Sequence, residues 1–282
     1  MNRNLLLVLA LMAAGAVACS LTLTVPTVDT GPVQVLSIDE PAPPQETVTG
    51  VEINVGPGTL ELSGGATGLA AGSIRFNVEE WRPTVTRTET ALTIEQGEPD
   101  ASLPIGEDVV NEWSLRLGNV PMELSVHAGA YSGSIDLSGV PLRSFSVTDG
   151  ASDTEVEFNS PNPEQMESLT YQTGASTVSL SGLANANFSE MTFIGGAGTY
   201  TLDFSGDLRR DATVSVQAGV SSVRIEVPEG TAAVVVVGGA LNSVNTIGSW
   251  SHDGDTYRQA GLGPTLRISV DMGVGSLTLV SS

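Results

Sequence analysis

One phrase recurs along the sequence and constrains the fold more than any other feature. It reads GASDTEVEF from Gly150, GASTVSLSG from Gly174 and GAGTYTLDF from Gly196, each time with a Gly-Ala opening followed by alternating residues. Similar Gly-Ala and Gly-Val pairs begin at Gly129 and Gly219, so successive copies lie 21, 24, 22 and 23 residues apart. A period this regular indicates a repeat architecture.

The residues around each repeat glycine alternate between apolar and polar side chains. Positions five and three residues before the glycine, and six residues after it, are apolar in all five copies. A period of two on both sides of the glycine predicts β-strands with one inward and one outward face. The apolar positions are Leu124, Phe145, Leu169, Met191, Val214, Val126, Val147, Tyr171, Phe193, Val216, Ile135, Val156, Leu180, Leu202 and Ile225.

Segments around Gly56 and Gly273 follow the same pattern, which extends the count to seven units of about 22 residues. Because equivalent residues stay in column over all these units, we predict an all-β, right-handed β-helix-like solenoid over residues 50–282. A stack of antiparallel β-hairpins or a β-sandwich is the alternative. Each repeat glycine is expected to turn the chain with a positive φ. The apolar run Ala232–Val237 predicts a strand buried on both faces.

The N-terminus has the layout of a bacterial lipoprotein signal peptide. Arg3 precedes an apolar run, and the segment ends in AVAC at Cys19, which resembles a lipobox with Ala where Leu is usual. We therefore predict a signal peptide over residues 1–18 and lipidation of Cys19. An ordinary signal peptide with an unrelated thiol is the alternative. Residues 19–49 carry five prolines and lack a sustained period, so they are predicted to form an extended tether.

The charge of the chain excludes several classes of partner. It has 32 acidic and 11 basic residues, a formal net charge of −21, and every basic residue is an arginine. Such a surface repels nucleic acids and anionic headgroups, so neither is an expected partner. Membrane contact is expected only through the N-terminal lipid, which would hold an exported protein on the outer face of the membrane or at the cell surface.

Two long runs resemble a known family. NEWSLRLGNVPMELSVHAGAYSGSIDLSGVPLRSFSVTDGAS and GLANANFSEMTFIGGAGTYTLDFSG are similar to the bacterial toast-rack domains. That group is related to surface adhesin domains and to the C-terminal domain of LiaF-type regulators of the cell-envelope stress response. The resemblance covers nearly all of residues 50–282 and implies a β-helix-like fold, envelope attachment or signalling, and no established catalytic site.

Few residues in the sequence suggest chemistry. His127 and His252 lie in unrelated units and are predicted to be surface residues, and no His/Cys cluster with metal-ligand spacing is present. Seven residues after the repeat glycine, on the outward face, stand Asp136, Glu157, Ser181, Asp203 and Glu226. Neighbouring carboxylates in such a column would be solvated or bridged by a hard cation such as Ca²⁺. We expect no other cofactor.

Three functions are compatible with these features. We expect a non-catalytic, lipid-anchored envelope or surface module that binds an envelope protein or a glycan. An accessory sensor in the cell-envelope stress response is the alternative that the resemblance implies. A carbohydrate-active enzyme is the third, since β-helices host such sites, but a proton-abstracting lyase is poorly served by a chain without lysine.

Overall fold

The computed structural model describes residues 28–44, 47–97, 108–240 and 243–282, and most of them lie in β-strands. A 3₁₀-helix, Glu79–Trp81, separates the fourth and fifth strands of the N-terminal part. The strands of this part are β1 Gln34–Glu40, β2 Thr49–Val55, β3 Gly58–Ala66, β4 Ala70–Phe76, β5 Thr84–Arg87, β6 Ala91–Glu95 and β7 Asn111–Gly118.

Five long strands form the centre of the molecule, and each contains one repeat glycine near its middle. They are β8 Met122–Asp136, β9 Leu142–Glu157, β10 Met166–Ser181, β11 Phe188–Asp203 and β12 Ala212–Val227, with a 3₁₀-helix at Leu183–Ala186 before β11. Adjacent strands pair in parallel. The residue after each repeat glycine lies opposite its equivalent, as in Ala151 opposite Ala175. The predicted solenoid is therefore confirmed, and the antiparallel alternative is wrong for these coils.

The C-terminal part adds the last coil out of chain order. Its strands are β13 Gly230–Gly239, β14 Ser243–Ile247, β15 Trp250–Asp253, β16 Thr256–Gln259 and β17 Gly261–Ser281. Strand β17 pairs in parallel with β12, with Val274 opposite Val220. Strands β13 and β14 then pair with the other edge of β17, and the hairpin β15–β16 joins β13 antiparallel.

The first unit stacks at the opposite end. Strands β2 and β3 pair in parallel with β8, which places Ile53 opposite Val126 and Leu62 opposite Ile135. Beyond them, β6 pairs with β2 and β7 with β3, both in parallel. Strands β1, β4 and β7 add antiparallel pairs at this end. All seven predicted units are thus stacked in register.

The core runs along the axis of the coils. All fifteen repeat positions predicted to face inward are buried. Phe193 stacks on Tyr171 with ring centroids 5.8 Å apart and meets Tyr200 edge-on at 4.9 Å. Full burial of one such side chain contributes about 1.5–3 kcal/mol, so the stacked columns hold neighbouring coils together.

The prediction that the repeat glycines adopt a positive φ is wrong. None of them lies among the glycines with positive φ. Glycine is instead required in this column because neighbouring coils approach each other closely. A Cβ on Gly219 would lie 2.7 Å from the carbonyl oxygen of Gly196, and one on Gly273 would lie 2.9 Å from that of Gly219. From Gly174 onward the repeat glycines therefore form a column in which a side chain would strike the backbone of the neighbouring coil.

The tether prediction for residues 19–49 is wrong for part of its length. Residues 34–40 form β1, which pairs antiparallel with β4 from Gln34 opposite Phe76 to Glu40 opposite Ala70. Ile38 on this strand is buried. The prolines that suggested a tether flank this strand without interrupting it, so the backbone donors of the strand stay available for pairing. The folded domain therefore begins before the predicted residue 50.

The prediction of a strand buried on both faces at residues 232–237 is also wrong. Within β13 only Ala233 and Val235 are buried, and Val236 is 48% exposed. Strand β13 is paired at both edges, with β17 and with β16, and like the central strands it has one face toward the interior and one toward solvent. The apolar run therefore has one inward side only.

Candidate functional site

The repeat glycine divides each central strand into a first and a second arm, and outward side chains of the first arms form one surface. We call this surface the first-arm face. It consists of the outward side chains four and two residues before the glycine, which lie opposite each other from strand to strand. All ten are exposed or half-buried. They are Ser125, His127, Ser146, Thr148, Thr170, Gln172, Thr192, Ile194, Ser215 and Gln217.

The first-arm face carries no acidic or basic residue apart from His127, although the chain as a whole is strongly acidic. The second arms of the central strands carry six acids, Asp136, Asp153, Glu155, Glu157, Asp203 and Glu226. Three further exposed acids, Glu123, Glu167 and Glu190, stand at the start of the first arms, outside the columns that form this face. The two columns of this face are thus free of acids over the five central strands, whereas the same columns carry Glu52 in the first unit and Asp271 in the last.

The predicted cation column lies on this anionic side. Asp136 is opposite Glu157, and Asp203 is opposite Glu226. Each carboxylate also has a partner on its own strand or just beyond it. Examples are Asn159, whose Nδ2 donates to Glu157 at 2.8 Å, and an ion pair between Arg224 and Glu226 at 2.5 Å.

The two aspartates of the column, Asp136 and Asp203, also have partners close to their own strands. Asp136 accepts a hydrogen bond from the backbone N–H of Ser138 at 3.0 Å, and Asp203 accepts one from the N–H of Ser205 at 2.9 Å. Within the described ranges no group of three or more His, Cys, Asp or Glu residues has a metal-site arrangement. Calcium binding by this column stays a prediction.

The two histidines lie on the surface, as predicted. His127 belongs to the first-arm face on β8. His252 lies in the C-terminal hairpin opposite Tyr257, with ring centroids 5.5 Å apart. The histidines are therefore in separate parts of the molecule and do not form a joint site.

A polar cluster inside the solenoid was not predicted from the sequence. Asp149, directly before a repeat glycine, is 7% exposed and accepts a 2.8 Å hydrogen bond from the hydroxyl of Tyr171. The hydroxyls of Thr173 and Ser152 also donate to Asp149. Burial raises the pKa of Tyr171 well above its ordinary value. The strand alternation could have found Asp149, since it continues the inward positions five and three residues before the glycine.

Two shallow cavities lie where the first-arm face meets the glycine column. One, of about 390 Å³, is at the N-terminal end and is lined by Asn54, Glu95, Gln96, His127 and Thr148 among others. The other, of about 340 Å³, is at the C-terminal end, with Gln217 and Asp271 in its wall. The first-arm face is therefore bounded by a pocket at either end.

The N-terminal features of the sequence have no counterpart among these residues. Cys19 and the predicted signal peptide, residues 1–18, lie outside the described part of the chain. In the described part, no helix has the length and apolar character that a membrane span requires.

Residues 33–168 match the family model for the N-terminal domain of toast_rack, DUF2154. This part of the chain belongs to the toast-rack family. The resemblance identified in the sequence is thereby confirmed. The match begins next to β1, in agreement with a toast-rack domain that includes this strand.

The chain is also similar to solved structures. One is a putative cell adhesion protein from Clostridium sporogenes ATCC 15579, at 18% identity over 89% of this chain and 99% of that chain, with a TM-score of 0.48. Another is a putative adhesin from Bacteroides fragilis NCTC 9343, at 12% identity over 88% and 97%, with a TM-score of 0.42. None of the curated proteins matches the chain.

Proposed function

We propose that this toast-rack protein is a non-catalytic interaction module of the cell envelope that binds an uncharged glycan along its first-arm face. The observation that carries the proposal is the absence of acidic and of permanently basic residues from this face in a chain with a net charge of −21. A surface that only kept the protein soluble would have no reason to exclude the acids that the second arms carry.

The chemistry of the face suits a polymer rich in hydroxyl groups. Serine and threonine hydroxyls both donate and accept hydrogen bonds, and glutamine offers donors and an acceptor. Neighbouring strands are about 4.8 Å apart, so the same group recurs at a constant step along the stack. An extended polymer can therefore repeat one set of contacts at successive coils, and many weak contacts then add to a useful affinity.

A protein partner is less well served by this face. Binding energy in protein interfaces is concentrated in buried Trp, Tyr and Arg residues. The first-arm face has none of these, and its single large apolar residue, Ile194, is only 36% exposed. The composition therefore favours a hydrogen-bonding polymer over a protein surface.

Binding to a set of immobilised neutral polysaccharides tests the proposal. A double variant, Thr170→Glu with Gln172→Glu, places two charges in the middle of the face and should reduce retention by at least tenfold. The matched control, Thr177→Glu with Ser179→Glu, places the same charges on the second arm of the same strand, β10. Equal retention of the two variants, or no retention of the unmodified protein on any of these polymers, would refute the proposal.

We propose further that the protein is exported and held at the membrane by a lipid on Cys19. The support is the signal-like N-terminus, whose charged start, apolar run and small residues before Cys19 are read from the sequence. An anchored domain of this kind would present its face to polymers of the envelope.

A further inference from the structure

The pocket at the N-terminal end of the first-arm face is built on a buried chain of hydrogen bonds. The indole Nε1 of Trp113 donates to Oδ1 of Asn111 at 2.8 Å, and Nδ2 of Asn111 donates to Oε1 of Gln96 at 2.7 Å. The same Nδ2 donates to the carbonyl oxygen of Pro57 at 2.6 Å. Trp113, Asn111 and Gln96 are 1%, 4% and 7% exposed. Such a network fixes the position of its last member, Gln96.

The network also fixes which way the Gln96 carboxamide points. Its Oε1 accepts a second hydrogen bond from the backbone N–H of Gly56 at 2.8 Å. The amide nitrogen, Nε2, lies beside Gly56, where a Cβ would clash with it. It is buried and has no hydrogen-bond partner among the described residues. Leaving a buried donor unsatisfied is unfavourable, so an ordered network that ends on one calls for a partner.

Gln96 lies in the wall of the 390 Å³ pocket, and the local backbone makes room for it. A Cβ on Gly56 would come within 2.9 Å of the Gln96 Cδ, so a side chain at this position would displace the carboxamide. The rim comes from four neighbouring parallel strands. Asn54 is opposite both Glu95 and His127, and His127 is opposite Thr148.

We infer that this pocket binds a single uncharged sugar ring, with the Gln96 amide as a donor to one of its oxygens. The inference deepens the proposed function, on which it rests, by assigning a subsite at one end of the face. The groups around the pocket include a carboxylate acceptor on Glu95, a hydroxyl on Thr148 and an imidazole on His127, which both donates and accepts. Sugar hydroxyls, which also donate and accept, satisfy such a mixed set.

The charge and the volume of the pocket restrict the class of ligand further. No Arg is present among the residues that line the pocket, and the exposed Glu95 carboxylate repels anions. Uronic acids and sugar phosphates are therefore disfavoured. Val55 and Ala128 supply apolar surface for the C–H groups of a ring. The volume is within the range of roughly 300–1,000 Å³ that is usual for small-molecule sites.

Titration of the full chain with single sugars, followed by NMR at the Gln96 side-chain amide, tests the inference. Glucose and N-acetylglucosamine are the neutral probes, and glucuronic acid is the anionic one. We expect saturable shifts of the Gln96 amide signals with at least one neutral sugar and at least tenfold weaker binding of glucuronic acid. No saturable shift with either neutral sugar, or equal binding of glucuronic acid, would overturn the inference.

Three variants assign the binding to the pocket. Gln96→Glu keeps an oxygen for Gly56 and Asn111 but replaces the Nε2 donor, and should weaken binding at least tenfold. His127→Ala alters an exposed rim residue, which leaves the core intact, and should weaken it several-fold. Thr177→Ala removes an exposed hydroxyl from the second arm of β10, outside this pocket and outside the first-arm face, and should leave sugar binding unchanged. Full binding by both Gln96→Glu and His127→Ala would place the sugar elsewhere.

The outcome separates this inference from the proposed function. The double variant Thr170→Glu with Gln172→Glu should lose polysaccharide retention and still bind single sugars at the pocket. Polysaccharide retention without any single-sugar binding would overturn the subsite and leave the proposed function standing. Single-sugar binding at Gln96 without retention on any polysaccharide would support the subsite and overturn the proposed function.

Discussion

The hydroxyl of Tyr171 on β10 donates a 2.8 Å hydrogen bond to the carboxyl group of Asp149 on the neighbouring strand β9, inside the solenoid. Tyr171 is fully buried and Asp149 nearly so. The hydroxyl of Ser152 donates to the same carboxyl group at 3.1 Å. These hydrogen bonds make burial of an acidic side chain tolerable next to a column of aromatic rings, since each polar atom has a partner.

Tyr171→Phe should destabilise the protein, because it removes a donor to Asp149 and keeps the ring. A hydrogen bond to a charged group contributes about 1.5–3 kcal/mol, and the free energy of unfolding should fall by about this amount. Denaturant unfolding measures the change. Tyr257→Phe, in the C-terminal hairpin, is the control and should change stability by no more than about 0.5 kcal/mol. Equal stability of the two variants would mean that the interior hydrogen bond contributes nothing.

Alkaline pH should destabilise the fold through Tyr131. Burial raises the pKa of Tyr131 to about 12, from an ordinary value of 10.0, and the charge of Asp149 acts in the same direction. Above pH 10 the unfolded chain loses this proton while the folded chain keeps it, so stability falls as pH rises from about 10 to 12. Below pH 10 Tyr131 adds no pH dependence. The difference between the two pKa values corresponds to about 2–3 kcal/mol.

Tyr131→Phe tests this assignment. The variant should lose less stability than the unmodified protein between about pH 10 and pH 12, when both are unfolded by denaturant across this window. Below pH 10 the substitution should be close to neutral, because the Tyr131 hydroxyl is buried and has no hydrogen-bond partner in the described part of the chain. Parallel losses of stability in the two proteins above pH 10 would show that other groups, such as Tyr171, control the alkaline transition.

Asn162 joins three segments of the chain and is fully buried. Its Oδ1 accepts from the N–H of Leu142 at 3.1 Å and of Glu164 at 3.0 Å. Its Nδ2 donates to the carbonyl oxygens of Leu142 at 2.8 Å and Ala186 at 3.1 Å. These bonds satisfy backbone groups at the start of β9 and in the turns before β10 and β11.

Asn162→Ala should leave those backbone groups without partners and lower the free energy of unfolding by about 2–4 kcal/mol. Asn159→Ala is the matched control three residues earlier, since Asn159 is exposed and bonds only to the surface carboxylate of Glu157 and to Ser138. Its effect should stay within about 0.5 kcal/mol. Thermal or denaturant unfolding distinguishes them, and a mild effect at Asn162 would indicate that water replaces the amide.

The repeat columns could be predicted from the sequence because they depend only on alternation and period. Val126 and Val147, for instance, are both inward and opposite each other, as their equal distance from the next glycine requires. The acids seven residues after the glycine were placed on the outward face for the same reason. The local sequence pattern was sufficient to predict the inward and outward positions wherever one coil has the same structure as the preceding coil.

Features that depend on distant segments could not be predicted in this way. The wall of the N-terminal pocket combines Gln96 with Asn111 and Gly56, which are 15 and 40 residues away in the chain. The insertion of β17 between β12 and β13 is likewise an order that no local pattern encodes. Composition near β1 also misled, because flanking prolines are equally common beside edge strands and in tethers.

Cys19→Ser should abolish the proposed lipid attachment. Metabolic labelling with a fatty acid should mark the unmodified protein and not the variant, because the thiol of Cys19 is the only one in the chain. Ser20→Ala, at the next residue, is the control and should keep the label. Fractionation should move the Cys19→Ser protein from membranes to the soluble fraction. Absence of label from the unmodified protein, or its persistence on the variant, would exclude this anchor.

The repeat glycines should differ in their tolerance of a methyl group according to the spacing of the coils. A Cβ on Gly219 would lie 2.7 Å from the carbonyl oxygen of Gly196, whereas one on Gly129 would have its nearest neighbour, an atom of Gly56, at 3.6 Å. Gly219→Ala must therefore push two coils apart and should cost about 1–3 kcal/mol. Gly129→Ala fits without a clash and should be neutral or stabilise by about 0.4–1 kcal/mol, since alanine restricts the unfolded chain.

Denaturant unfolding of the two variants compares identical substitutions at the same place in the repeat. A similar loss of stability in both variants would indicate that glycine is required for its backbone conformation, since such a requirement would be shared by every copy of the repeat. A loss confined to Gly219→Ala would establish that the glycine of the Gly-Ala phrase is required by the close stacking of one coil on the next.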